Sequence, residues 1–249
     1  MKSWTVEARP QLYARFAGLL YLFVIVFGGY SEGFVMSALI VPGDAAATAH
    51  NILGAESVWR LSVGGNLLVP ILAVMQLWIE YLLVKPVSRN LALLFVLFNG
   101  ASLAIETVSK LFLLMVDPVL RDTGYAAVFD PGQIYALADL MLTAHDISFH
   151  IALIFFGLAC LLLGGLIFRS GYLPKFVGVL MGLAGACYLV ATYGALFAPA
   201  FGQAISPWIL LPVLVGEATL CLWLLLMGVN RTRWQARVEA GGSGPGESV

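Results

Sequence analysis

The stretch SFHIALIFFGLACLLLGGLIFRS, residues 148–170, decides the fold. From Ile151 to Phe168 it contains no charged residue and no proline, and it closes on the basic Arg169. A bilayer core of ~30 Å takes about 20 helical residues. In hydrocarbon every backbone N–H and C=O must be satisfied within the chain, so a spanning segment is a helix or a strand of a closed barrel. The two-residue alternation of a barrel strand is absent here. The segment therefore predicts a transmembrane helix.

Working outward, the same criterion is met by six runs: 13–35, 62–84, 90–116, 137–168, 174–197 and 207–229. The expected fold is all-α, a polytopic membrane bundle of six transmembrane helices. A single domain over 13–230 is expected, flanked by a cytoplasmic N-terminal segment (1–12) and a cytoplasmic, largely disordered tail (231–249). The end of that tail, GGSGPGESV at 241–249, has the Gly/Ser composition of a flexible coil. The first run, Phe16 to Val35, lacks a small-residue cleavage site and is expected to be retained.

Composition agrees. The 249 residues are 61% hydrophobic and 11% charged, against roughly 45–50% and 25% for soluble domains. A net charge of −1, with 13 Lys and Arg scattered singly or in short groups, excludes nucleic acid as a partner, because counterion release needs a clustered basic surface. The partner implied is the lipid bilayer; oligomeric state is left open. Cys160, Cys187 and Cys221 sit singly in apolar runs without metal or redox spacing and read as small core residues.

Orientation follows from basic residues at the span ends. Termini in the cytoplasm place Lys2, Arg9, Arg15, Lys85, Arg89, Arg169, Lys175, Arg231, Arg233 and Arg237 inside, leaving Arg60, Lys110 and Arg121 on the other side. Ten against three predicts both termini inside. On the outer side, Pro42-Gly43-Asp44 should stop one helix and cap a short Ala-rich one, and Asp130-Pro131 reads as an N-cap followed by Pro at N1.

Ionisable groups in hydrocarbon cost about 2.5–3.5 kcal/mol each even on lenient scales, so those present must pair, protonate, snorkel or function. Counting about 20 residues from each basic inner end places Glu32, Asn66, Glu106 and His150 just under the outer surface, with Arg60, Lys110, His145 and Asp146 near the same plane. Glu217 lies deeper. These nine residues are the candidate lining of a polar pocket open to the extracytoplasmic side.

Helix registration would use the same groups. Glu106 and Lys110 are i,i+4, Arg60 can neutralise Glu32, Asp146 can hold His150, and Glu80 is expected to reach the interface near Lys85. Glu217, in GEATLCLW, has no cation within a turn of its own helix. The segment HDISFH invites a zinc reading, but His145 and His150 are i,i+5, about 140° apart on a helix, so no metal site is assigned. No cofactor or catalytic residue is assigned either: no GxSxG, P-loop or dinucleotide motif occurs in a suitable context, and the glycines read as close helix packing.

The blocks ARFAGLLYLFVIVFG (14–28), SALIVPGDAAATAHNIL (37–53), KPVSRNLALL (85–94), FRSGYLPKFVGVLMGLAGACYL (168–189) and GEATLCLWLLLMGVN (216–230) resemble, in order, the bacterial integral membrane proteins grouped as the domain of unknown function 4386 family. The resemblance runs from about Ala14 to Asn230. It implies one membrane domain in a bacterial cytoplasmic membrane and brings no substrate, cofactor or catalytic residue. Its pattern draws attention to Arg60, His145 and Glu217 without giving them roles.

Three functions fit this sequence. One is a protein that binds a lipid or small amphiphile in the outer pocket, with Arg60 or Lys110 receiving a polar head. A second is an intramembrane enzyme using buried carboxylates for lipid hydrolysis or isoprenoid cyclisation. The third is a structural or regulatory subunit.

Overall fold

A computed structural model describes residues 6–242, and ten helices are found among them. In chain order they are α1 Pro10–Leu39, α2 Ala45–Gly54, α3 Glu56–Val84, α4 Arg89–Arg121, α5 Thr123–Ala126, α6 Pro131–Ser170, α7 Lys175–Phe197, α8 Pro199–Ile205, α9 Trp208–Met227 and α10 Arg231–Gly242. Six of these, α1, α3, α4, α6, α7 and α9, are long and apolar enough to cross a membrane. No strand occurs among the described residues. This is the all-α, six-span protein that the hydropathy demanded.

The ends follow local chemistry. Asp44 caps α2 by accepting from the Ala47 N–H at 2.8 Å, after Gly43 has turned the chain at φ +79°. Asp130 and Gln133 form a reciprocal capping box at the start of α6: Asp130 Oδ1 accepts from the Gln133 N–H at 2.9 Å, and Gln133 Oε1 from the Asp130 N–H at 3.1 Å. At 40 residues, α6 is roughly 60 Å long, about twice a bilayer core. Gly228, at φ +68°, ends α9 against Gln11, which bonds Met227 O and the Val229 N–H.

The tail departs from expectation. Arg231–Gly242 is helical rather than disordered, because Asn230 Oδ1 accepts from the Arg233 N–H and Trp234 is buried. The remaining tail, 243–249, and the extreme N-terminus fall outside the described residues.

Two compact units are distinguishable within the chain. The first comprises the described residues up to Leu22, Ala73–Ser102 and the described residues from Leu153 onward; the second comprises Phe23–Leu72 and Leu103–Ala152. In the first, α6 and α7 meet along glycines. A Cβ on Gly164 would stand 2.6 Å from Gly178 O, and one on Gly185 2.6 Å from Gly157 O. Paired at seven-residue spacing on both helices, these glycines bring backbone against backbone. Tyr172, in the turn between the two helices, donates its hydroxyl to Leu83 O. Burial pushes that phenol above the ordinary tyrosine range, which keeps it a donor. In the second unit an apolar cluster includes Trp59, Ile52, Val35, Leu113, Val116 and Leu142.

Candidate functional site

The second unit carries a centre built on a lysine that solvent cannot reach. Lys110 of α4 has a side chain 0% exposed. Its ammonium donates to Glu32 Oε1 at 2.8 Å, has Glu106 Oε1 at 3.7 Å, and faces the Phe149 ring at 4.6 Å from the centroid. Two carboxylates and an aromatic face thus replace the water a buried ammonium loses.

Glu32 reaches the lysine from an irregular turn. Residues Gly29–Met36 of α1 are wound as a π-helix, a wider turn that often marks functional sites. Glu32 Oε2 lies 3.4 Å from His145 Nε2, while His145 Nδ1 lies 3.1 Å from Ser109 O. A carbonyl only accepts, so Nδ1 carries a hydrogen. The Nε2–Oε2 pair then needs a proton of its own, since a bare lone pair against a carboxylate is repulsive.

A separate ion-pair ring in the same unit uses residues near the ends of α3 and α4. Arg60 pairs with Glu56 (2.7 Å) and Asp117 (3.0 Å), and Arg121 pairs with Asp117 (2.7 Å) and Glu56 (3.2 Å). The expected neutralisation of Glu32 by Arg60 is therefore replaced: Arg60 has nearer carboxylates, and Glu32 belongs to Lys110 and His145. Glu56, Asp117 and Arg121 were not among the predicted site residues. Their signal was present as two i,i+4 pairs, Glu56–Arg60 and Asp117–Arg121.

The remaining candidates divide. Glu106 and Lys110 come together as expected, at ion-pair rather than hydrogen-bond distance. Asp146 and His150 pair at 3.4 Å, with Asp146 69% exposed; both histidines are thus held separately, and no group of three or more His, Cys, Asp or Glu among the described residues is arranged to hold a metal. Asn66 is buried with its amide nitrogen lacking a partner among those residues. Glu217 belongs to the first unit, where Tyr188 Oη donates to its Oε1 at 2.9 Å. Glu80, expected at the interface near Lys85, is instead buried there and accepts from Gln76 Nε2 at 2.9 Å. Gln76 lies one turn away on the same buried face, whereas Lys85 is exposed.

Comparison with known proteins adds the family. The model for the Domain of unknown function (DUF4386) matches residues 16–228. The chain belongs to the DUF4386 family. This DUF4386 chain is also similar to an uncharacterised protein of Archaeoglobus fulgidus, 31% identical over 129 residues, which are 52% of this chain and 64% of that one. The chain thus spans a little under two thirds of that relative's length. No solved structure matches.

Proposed function

We propose that this DUF4386 protein binds a lipid or small amphiphile by its headgroup at the Glu32–Lys110–Glu106–His145 centre. The observation that carries the reading is the division of exposure inside the centre. Lys110 is 0% exposed, while the Glu32 and Glu106 side chains keep 24% and 15% of their surface. The reachable members of the centre are thus its carboxylate side chains, which accept hydrogen bonds, and not its ammonium. Such a surface favours a headgroup that donates hydrogen bonds, an amine or a hydroxyl, over the anionic head that Lys110 or Arg60 would have received. Arg60 is committed to Glu56 and Asp117.

Two photo-crosslinkable amphiphiles that differ only in a primary amine or a carboxylate head test this on the full chain in nanodiscs. The amine probe should label peptides from α1, α4 and α6, and Glu106→Gln should weaken that labelling severalfold. Equal labelling by both probes, or labelling unchanged in the variant, would overturn the reading.

In the same proposal both termini lie in the cytoplasm of a bacterial cell, with the chain in its cytoplasmic membrane. The ten-to-three distribution of basic residues supports this orientation. Cysteine substitutions at positions 43 and 237, probed with an impermeant thiol reagent in intact cells, should label at 43 alone.

A further inference from the structure

The first unit contains a small polar cavity that the headgroup reading does not use. Its volume is about 20 Å³; one water needs roughly 10–15 Å³ on the same measure. Tyr21 of α1, Gln76 and Glu80 of α3 and Asn99 of α4 supply its polar lining, and Phe95 and Met181 are among its apolar walls.

Two observations point to a guest. Gln76 is 8% exposed, and its Oε1 has no hydrogen-bond partner among the described residues. Turning the amide over would only exchange the open acceptor for an open donor, while facing an oxygen to Glu80. The second observation is charge. Glu80 is buried, its one side-chain partner is the neutral Gln76 amide, and it forms no ion pair with a described residue. A second carboxyl, Glu217, is near enough to act on it through its field. The other titratable groups facing this region are Tyr21 and Cys160, with Tyr188 on Glu217; none is basic. A carboxylate in such surroundings needs a positive charge, and the space beside it admits one body of water size.

We propose that this cavity is a binding site for one monovalent positive charge of water size, a sodium ion or a hydrated proton. Glu80 balances the charge and Gln76 Oε1 coordinates it, with Asn99 and Tyr21 as further oxygen donors. A second cavity that Glu80 also lines, about 10 Å³ and otherwise apolar, is too small and too dry to compete.

The test uses the full chain in detergent, with thermal midpoints measured in sodium chloride against choline chloride at equal ionic strength, and in choline across pH 5 to 8. A ligand that binds only the folded state raises the midpoint as its concentration rises. If sodium is the guest, the midpoint climbs by several degrees in sodium over choline, less at acid pH where protons compete for Glu80. If the guest is a proton, sodium has no effect and the midpoint climbs on acidification instead. Either response should vanish in Glu80→Gln, which has no ionisable group at this position, and weaken in Gln76→Leu, which leaves the carboxyl in place. A midpoint indifferent to both cations, or a response undiminished in both variants, would overturn the proposal. Should Glu80→Gln fail to fold, infrared difference spectra of the wild type decide. Exchange of choline for sodium, or acidification, must change a carboxyl band that is lost or shifted in Gln76→Leu, and an unchanged band counts against the site.

Discussion

The two units of this protein treat buried carboxyl groups in opposite ways. In the second, Glu32 and Glu106 are met by a fully enclosed ammonium, and Glu32 also by an imidazole. In the first, Glu80 and Glu217 meet only an amide and a phenol. The arrangement in the second unit is built on an ion pair and stands or falls with its ammonium. The arrangement in the first unit consists of hydrogen bonds from uncharged partners. The same residue type therefore has two different dependences, and substitution can separate them.

The largest effect is expected at Lys110. Replacing it with Met keeps the length of the side chain but leaves Glu32 and Glu106 facing each other without their cation. Removing one partner of a buried pair typically costs about 3–5 kcal/mol, because the other charge stays buried and uncompensated. Lys110→Met should accordingly lower the thermal midpoint in detergent more than any other single change in either centre. Adding Glu32→Gln should recover part of the loss, since the interaction in such a pair is not additive.

Glutamine substitutions sharpen the contrast directly. Glu32→Gln removes the charge that holds Lys110 at 2.8 Å; a hydrogen bond to a charged group is worth about 1.5–3 kcal/mol. Glu217→Gln keeps an acceptor for the Tyr188 hydroxyl and should cost less than about 1 kcal/mol. Chemical denaturation of the two variants side by side checks the ordering. Equal losses would mean that Glu217 is ion-paired in the folded protein, and the difference between the units would collapse.

Much of this architecture was legible in the sequence. Uninterrupted apolar runs gave the six spans, and the Asp44 and Asp130 caps fell where Pro, Gly and Asp had marked them. The Glu106–Lys110 pair followed from spacing alone. What escaped were relations across elements. Glu32 reaches Lys110 and His145 through a π-helical turn that shifts its direction relative to a regular helix, and no spacing rule announces such a turn. Glu56, Asp117 and Arg121 were overlooked because the counted spans ended at 116 and began again at 62, whereas the helices run on to Arg121 and start at Glu56. The Gln76–Glu80 bond is local, yet counting depth from Lys85 sent Glu80 outward. Depth along one helix does not say which way a side chain turns.

Close packing in the first unit is tested by Gly164→Ala. The added methyl would meet the Gly178 carbonyl at 2.6 Å and the Gly182 backbone beyond it, so α6 and α7 must separate. Overpacking of this kind costs about 1–3 kcal/mol. The measured loss should be confined to stability, with the amine-probe labelling of the second unit intact.

A modest effect is expected at Phe149, and it separates the ways in which Lys110 is held. The ring faces the ammonium at 4.6 Å and stacks on His145 with centroids 5.9 Å apart. A cation over an aromatic face contributes from about 0.5 to 2 kcal/mol, more when it is desolvated, as this one is. Phe149→Leu preserves an apolar contact and removes only the electron-rich face, so it should destabilise within that range and less than Lys110→Met. The sharper measurement combines the two. In a Lys110→Met background there is no cation for the ring to attract, and Phe149→Leu should then cost only what the lost stacking and volume account for. If the cost is the same in both backgrounds, Phe149 packs without helping to hold the charge, and Glu32 and Glu106 alone keep the ammonium buried.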